Sequence, residues 1–225
     1  MSVDEHPLSI DVGGDLGTVS AVLARPADAS ATVIVAHGAG AGKDHPFLTG
    51  FCRALADHGI ATLRFDFPYR EAGRRFPDRP PVAIATWRAV TDAAAAHAAP
   101  GEPVWAAGKS YGGRMASMAV AEGMPAAGLV FLGYPLHAAN KPAVHPKRAE
   151  HLARVPCPML FLQGTRDALA DLKLMRPLLK KLPNAQLHVV EGADHGFAVL
   201  KRSGRTEAEV LRELAETTAA FVERL

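Results

Sequence analysis

At 225 residues, 48% apolar and 21% charged, the chain has the composition of one folded α/β domain, which excludes a disordered, collagen-like or low-complexity polypeptide. Twenty-five Lys and Arg against 23 Asp and Glu leave a net charge of +2, too balanced for a nucleic-acid or anionic-membrane binder. Cys52 and Cys157 stand far apart, with no CxxC or zinc spacing, and read as reduced thiols. The opening MSVDEHPLSI lacks the apolar core of a signal peptide, and no window reaches the roughly 18 consecutive apolar residues of a membrane span. A cytoplasmic location is expected.

In chain order, Val19–Leu23 is a short alternating run closed by Pro26. Ala31–Ala36 is continuously apolar and ends in His37-Gly38-Ala39-Gly40, the pattern of a strand buried on both faces of a parallel sheet. Phe47–His58 carries Phe47, Leu48, Phe51, Leu55 and Ala56 at helical spacing and stops at Gly59, where a left-handed cap fits. Ile60–Phe65 is the next apolar run, followed by a Pro- and Arg-rich loop from Pro68 to Pro81. Then come helix Pro81–Ala99, strand Pro103–Ala107, helix Ser110–Glu122, strand Gly128–Leu132, strand Pro158–Gln163, helix Leu169–Leu182, strand Gln186–Val190 and helix Glu207–Leu225. Strands alternating with helices predict βαβ units, hence one doubly wound α/β domain over residues 1–225, with a mostly parallel sheet and helices on both faces.

Such sheets carry their chemistry at the carboxyl ends of the strands. Those positions read His37-Gly38-Ala39, Asp66, Gly108-Lys109-Ser110, Gly133-Tyr134, Gly164-Thr165-Arg166-Asp167 and Asp194-His195. Gly108-Lys109-Ser110-Tyr111-Gly112 lies between a strand and a helix. There a serine must take a strained backbone conformation to expose its hydroxyl, and the residues two before and two after it must be small. A phosphate loop is excluded by register, because Pro103 and His37 stand where the first glycine of each G-x-x-x-x-G-K sequence is needed. A plain serine helix cap is the competing explanation.

A serine hydroxyl is a poor nucleophile until a base takes its proton, and that base needs an orienting partner. Asp167 and His195 each leave the end of a later strand and are the expected acid and base. Asp171, near a helix start, is explained by capping. Asp194 is expected to point elsewhere, His188 to be structural, and His137 to line the site, with the role of base as its less favoured alternative. Backbone N–H groups of Tyr111 and Ala39 are the candidate oxyanion donors.

The stretches HGAGAGKDHPF, LRFDFPYR, GKSYGGR, FLGYPLH, FLQGTRD and EGADHGF together resemble the α/β-hydrolases, in particular the small dienelactone-hydrolase-like branch. The resemblance implies an eight-stranded, mostly parallel sheet, a Ser–Asp–His triad and no metal or organic cofactor. Dienelactone hydrolases proper use cysteine where Ser110 stands, so lactone substrates are not implied. Only Gly133 to Pro156 is available for a lid, which predicts a minimal lid and an open site.

The expected activity is that of a carboxylesterase on small or medium acyl esters, with a small-molecule ester as the partner and neither nucleic acid nor membrane. A thioesterase, acyltransferase or peptidase would use the same machinery. A non-catalytic interaction scaffold is the alternative from another class, since relatives in this branch include subunits of chromatin complexes; an intact triad argues against it. Monomer and homodimer both remain open. Tyr134, Phe67 and Phe197 are the expected apolar lining. Arg74 and Arg75, in a loop that also holds Arg70 and Arg79, are candidates to select an anionic acyl or leaving group, with Lys109, Arg114, Lys141, Lys147 and Arg148 on the same side. A solvated loop is the plainer reading.

Overall fold

Four of the eight strands have no exposed face. In strand β3 (Ala31–Ala36) and strand β4 (Ile60–Phe65) every residue is buried. Along β3 the faces alternate: Ala31, Val33 and Val35 enter one apolar cluster, Ile34 and Ala36 the other. A computed structural model describes residues 3–139, 143 and 145–224. It has one eight-stranded sheet in the order β1-β2-β4-β3-β5-β6-β7-β8. The other strands are β1 (Glu5–Asp11), β2 (Thr18–Ala24), β5 (Val104–Lys109), β6 (Leu129–Leu132), β7 (Met159–Gly164) and β8 (Ala185–Val190). β1 and β2 are antiparallel to their neighbours, and the remaining pairs are parallel.

Helix α1 (Pro46–Asp57) and the last helix (Glu207–Val222) pack together on one face, around Phe51, Leu55, Trp105 and Phe221. The last helix starts on a capping box: Thr206 accepts from the Glu209 N–H, and Glu209 accepts from the Thr206 N–H. The opposite face is covered by α2 (Pro68–Glu71), α3 (Pro80–His97) and α4 (Tyr111–Ala121), around Phe65, Trp87, Met115 and Phe131. Between β6 and β7 the described residues form the short helix α5 (Pro146–Ala149) and a 3₁₀ turn (Glu150–Arg154), and no helical lid over the strand ends is found among the described residues. Helix α6 (Leu172–Leu179) precedes β8, and the last helix is α7.

Several elements differ from the sequence expectation, among them the short helix α2 within the expected Pro68–Pro81 loop. β1 lacks a sequence signal because it is an edge strand: only Ile10 of its seven residues is buried, and Pro7 sits within it. α6 spans Leu172–Leu179 instead of Leu169–Leu182, because Asp171 caps it by accepting from the Lys173 N–H at 2.8 Å. No described helix is long and apolar enough to cross a membrane.

Candidate active site

The turn from β5 into α4 brings two backbones into contact. A Cβ on Gly108 would overlap the backbone of Gly112 and Gly113, and one on Gly112 would lie 2.6 Å from the His37 carbonyl oxygen. Both positions therefore require glycine. The turn forces Ser110 to φ 50°, ψ −110°, a strained conformation for a residue with a side chain. Ser110 occupies the N-cap position of α4, yet its hydroxyl makes no capping bond. Its Oγ instead lies 2.9 Å from His195 Nε2.

His195 Nδ1 lies 2.7 Å from Asp167 Oδ2. A carboxylate only accepts, so Nδ1 carries the proton and Nε2 is left to accept from the Ser110 hydroxyl. Asp167 is in turn held by the Leu169 N–H at 2.7 Å and by the Gln163 amide. Gln163 is fully buried, and its Oε1 accepts from the Tyr134 N–H at 2.9 Å. Gly133, at φ 73°, leaves room for the group: a Cβ there would sit 3.4 Å from His195 Nδ1 and 3.5 Å from Asp167 Oδ2. Ser110, Asp167 and His195 thus meet at the carboxyl edge of β5, β7 and β8.

The loop after β3 is fixed from below. The Gly38 carbonyl accepts from His37 Nδ1 at 2.8 Å and from the Ala41 N–H at 3.2 Å. His37 Nε2 accepts from the Phe67 N–H at 3.3 Å, and burial lowers its pKa, which favours this neutral form. Because the C=O and N–H of a trans peptide point in opposite directions, the Ala39 N–H faces away from His37. Tyr111 is the first residue of α4, where an N–H has no earlier helical turn to bond. Among the described residues no hydrogen bond in the loops occupies the Ala39 or Tyr111 N–H.

A cleft of about 330 Å³ opens beside Ser110, lined by Ala39, His45, Phe47, Leu48, Lys109, Leu169 and His195 among others. The lining differs from the sequence expectation. Phe67 is fully buried against Phe65, His37 and Tyr111. Tyr134 is buried against Phe131 and Phe161, with its hydroxyl donated to the Arg148 carbonyl. Phe197 is also buried; it stacks on Phe47 and stands behind the cleft wall. Arg74 pairs with Asp78 at 2.6 Å, and neither Arg74 nor Arg75 lines the cleft. Arg148 donates to the Pro135 and His137 carbonyls. Lys141 and the side chain of Lys147 lie outside the described residues.

Phe47, Leu48, Leu169 and His45 were not recognisable from sequence as lining residues; their one signal is that α1 starts directly after the His37–Gly42 loop. The rival histidines have structural partners. His137 Nε2 accepts from the Asp171 N–H at 2.9 Å, and His188 pairs with Glu213 at 2.7 Å. Asp194 Oδ1 accepts from the Gly196 and Ala198 N–H groups. Among the described residues no group of three or more His, Cys, Asp or Glu is placed to hold a metal ion.

The fold is shared with several solved structures. A dienelactone hydrolase from Anabaena variabilis is 22% identical and superimposes with a TM-score of 0.76, over 99% of this chain and 98% of that one. A lidless serine hydrolase from Xanthomonas campestris is 21% identical, with a TM-score of 0.73 over 98% and 96%. The esterase domain of a Rhodothermus marinus protein is 18% identical, with a TM-score of 0.74 over 98% of both chains. At these identities the likeness is one of fold. Residues 29–223 also match the sequence pattern of the alpha/beta hydrolase domain, and over that span the chain belongs to the α/β-hydrolase family.

Proposed function

We propose that the protein is a serine hydrolase, acting as a carboxylesterase on small or medium acyl esters. The observation that carries this reading is the single chain of contacts from Asp167 through His195 to a strained Ser110 whose hydroxyl caps nothing. His195 Nε2 takes the Ser110 proton as Oγ attacks the ester carbonyl. Asp167 holds the imidazole in the required tautomer and stabilises the imidazolium that forms. The Ala39 and Tyr111 N–H groups hold the oxyanion. The same imidazolium then protonates the departing alkoxide, and a water repeats the sequence on the acyl-enzyme.

An uncovered cleft with a mainly apolar lining suits a short or medium acyl group better than a long lipid chain. Arg74 is already paired, which favours neutral esters over anionic ones. Labelling with a fluorophosphonate probe tests the reading. Wild type should label stoichiometrically, and Ser110→Ala and His195→Ala should not. Folded wild type that fails to label would overturn it.

A further inference from the structure

Lys109, the residue between Gly108 and Ser110, does not extend into solvent. Strand alternation puts it on the same face of β5 as Trp105 and Ala107, towards α1 and α7, at the very end of the strand. There its ammonium donates to the backbone carbonyl of His195 and lies 5.4 Å from the Phe197 ring centroid. Phe197 is held to receive it. It sits at φ 67°, the only non-glycine besides Ser110 with positive φ among the described residues, and its ring stacks on Phe47 at 5.6 Å. Two strained residues, Ser110 and Phe197, therefore flank one lysine that joins their loops.

Burying a cation is costly, and this one is met by a carbonyl and a ring instead of a carboxylate contact. We propose that Lys109 is a positioning residue: its protonated ammonium fastens the His195 carbonyl to the nucleophile strand and so holds the His195 ring at Ser110. The inference rests on the serine-hydrolase reading and assigns a role within that site.

The protonated state is itself limited. Burial lowers the Lys109 pKa to about 8, while Asp167 from the β7 loop and Asp194 from the β8 loop oppose the shift. Among the described residues, His195 on the β8 loop and His45 line the same cleft, Glu207 of α7 lines the neighbouring cavity with Phe197, and the uncharged Gly133, after β6, and Phe47 and Leu48 of α1 complete the surroundings. A neutral amine makes a weaker bond to a carbonyl than an ammonium does. Turnover should therefore decline as pH rises through about 8.

The test compares wild type, Lys109→Met and Lys109→Arg as full chains, by fluorophosphonate labelling rate and by kcat and KM on p-nitrophenyl butyrate from pH 6 to 9.5. Lys109→Met should lose roughly 10- to 100-fold in kcat, as expected for a misplaced catalytic group. Its KM should change by less than about threefold, because the lost bond holds the enzyme and not the ground-state ester. Lys109→Arg should recover most of the loss and remove the alkaline decline, since a guanidinium does not titrate in this range.

Thermal unfolding of each variant checks that the fold is kept. If Lys109→Met does not fold, the alkaline decline of wild type and its absence in Lys109→Arg still decide the matter. A wild-type profile flat above pH 8, or Lys109→Met turning over like wild type, would overturn the inference and leave the serine-hydrolase reading standing. Wild type that does not label would remove both.

Discussion

Gly112 and His37 are in backbone contact: a Cβ added to Gly112 would lie 2.6 Å from the His37 carbonyl oxygen and 2.8 Å from Ala36 Cβ. The turn that presents Ser110 and the strand end that presents Ala39 are thus pressed together, with only the Ala36 methyl beside the backbone contact. Their spacing is set by the main chain, which suits a nucleophile and an oxyanion donor that must converge on one carbonyl group. Gly112→Ala should therefore lose fluorophosphonate labelling and destabilise the protein by about 3 kcal/mol or more, because backbone atoms cannot step aside as a side chain can. Gly123→Ala is the control: that residue has φ 94° but open space around it, so the cost should be about 1–2 kcal/mol, with labelling kept. Urea unfolding of both variants separates the cases, and equal losses would refute the argument.

Asp167 has three hydrogen-bond donors, and the Gln163 amide among them is anchored on the Tyr134 N–H. Asp167→Asn should keep the fold but reduce kcat by about 10⁴-fold, since an amide can hold His195 in the wrong tautomer. Gln163→Leu removes a donor from Asp167 and leaves the Tyr134 N–H unpaired in the core. It should cost about 1–3 kcal/mol of stability with a smaller loss in kcat. A stable, fully active Gln163→Leu protein would show that this support is dispensable.

The parts of this arrangement legible in sequence are those governed by local rules. Ala31–Ala36 and Ile60–Phe65 match their strands residue for residue because burial on both faces leaves mainly apolar runs, interrupted only by Thr32, Thr62 and Arg64. Ser110, Asp167 and His195 stand at strand ends in short distinctive contexts, and the structure brings them together. Which aromatic side chains line the cleft is a different kind of question. Phe67, Tyr134, Phe197 and Phe47 look alike in sequence, and only the packing of His37 beneath one loop and of the β6–β7 segment over the sheet sends the first two inward. The direction of Lys109 has a partial signal, the parity of β5, but its carbonyl partner lies 86 residues away.

Two acid transitions should be separable. His151 is buried beside Arg114 and Arg154, and burial first, then those cations, lower its pKa from 6.5 to about 4. The unfolded chain takes up that proton first, so stability falls as pH drops from about 6.5 towards 4. Glu102 is lowered from 4.5 to about 2, chiefly by its hydrogen-bonded pairing with Arg25, and also by Thr32 and the Ala99 N–H. Its contribution is complete above about 4.5 and is lost as pH falls towards 2, on the order of 2 kcal/mol. Glu102→Gln should flatten only the lower window and His151→Gln only the upper one, as read from urea midpoints between pH 2.5 and 7. A pH dependence unchanged in either variant would exclude that residue as its source.

Phe47 separates two spaces. The Ser110 cleft of about 330 Å³ adjoins a second cavity of about 300 Å³ lined by Phe197, Val210, Leu211 and Ala208 among others, and both share His45, Phe47 and Gly196. On the proposed reading, the Phe47 ring, stacked on Phe197, is the wall that an acyl chain on Ser110 would meet. Phe47→Ala should open the second cavity to the chain. Each added methylene that becomes buried contributes about 0.8 kcal/mol, close to fourfold in kcat/KM. On p-nitrophenyl esters from acetate to decanoate, the optimum of the variant should therefore move to longer chains, with Ser110 still labelled, if more slowly because Phe197 loses its stacking partner. Adding Leu211→Trp to Phe47→Ala should refill the cavity and restore the shorter optimum. An optimum that does not move in Phe47→Ala would mean that the acyl chain leaves the cleft in another direction.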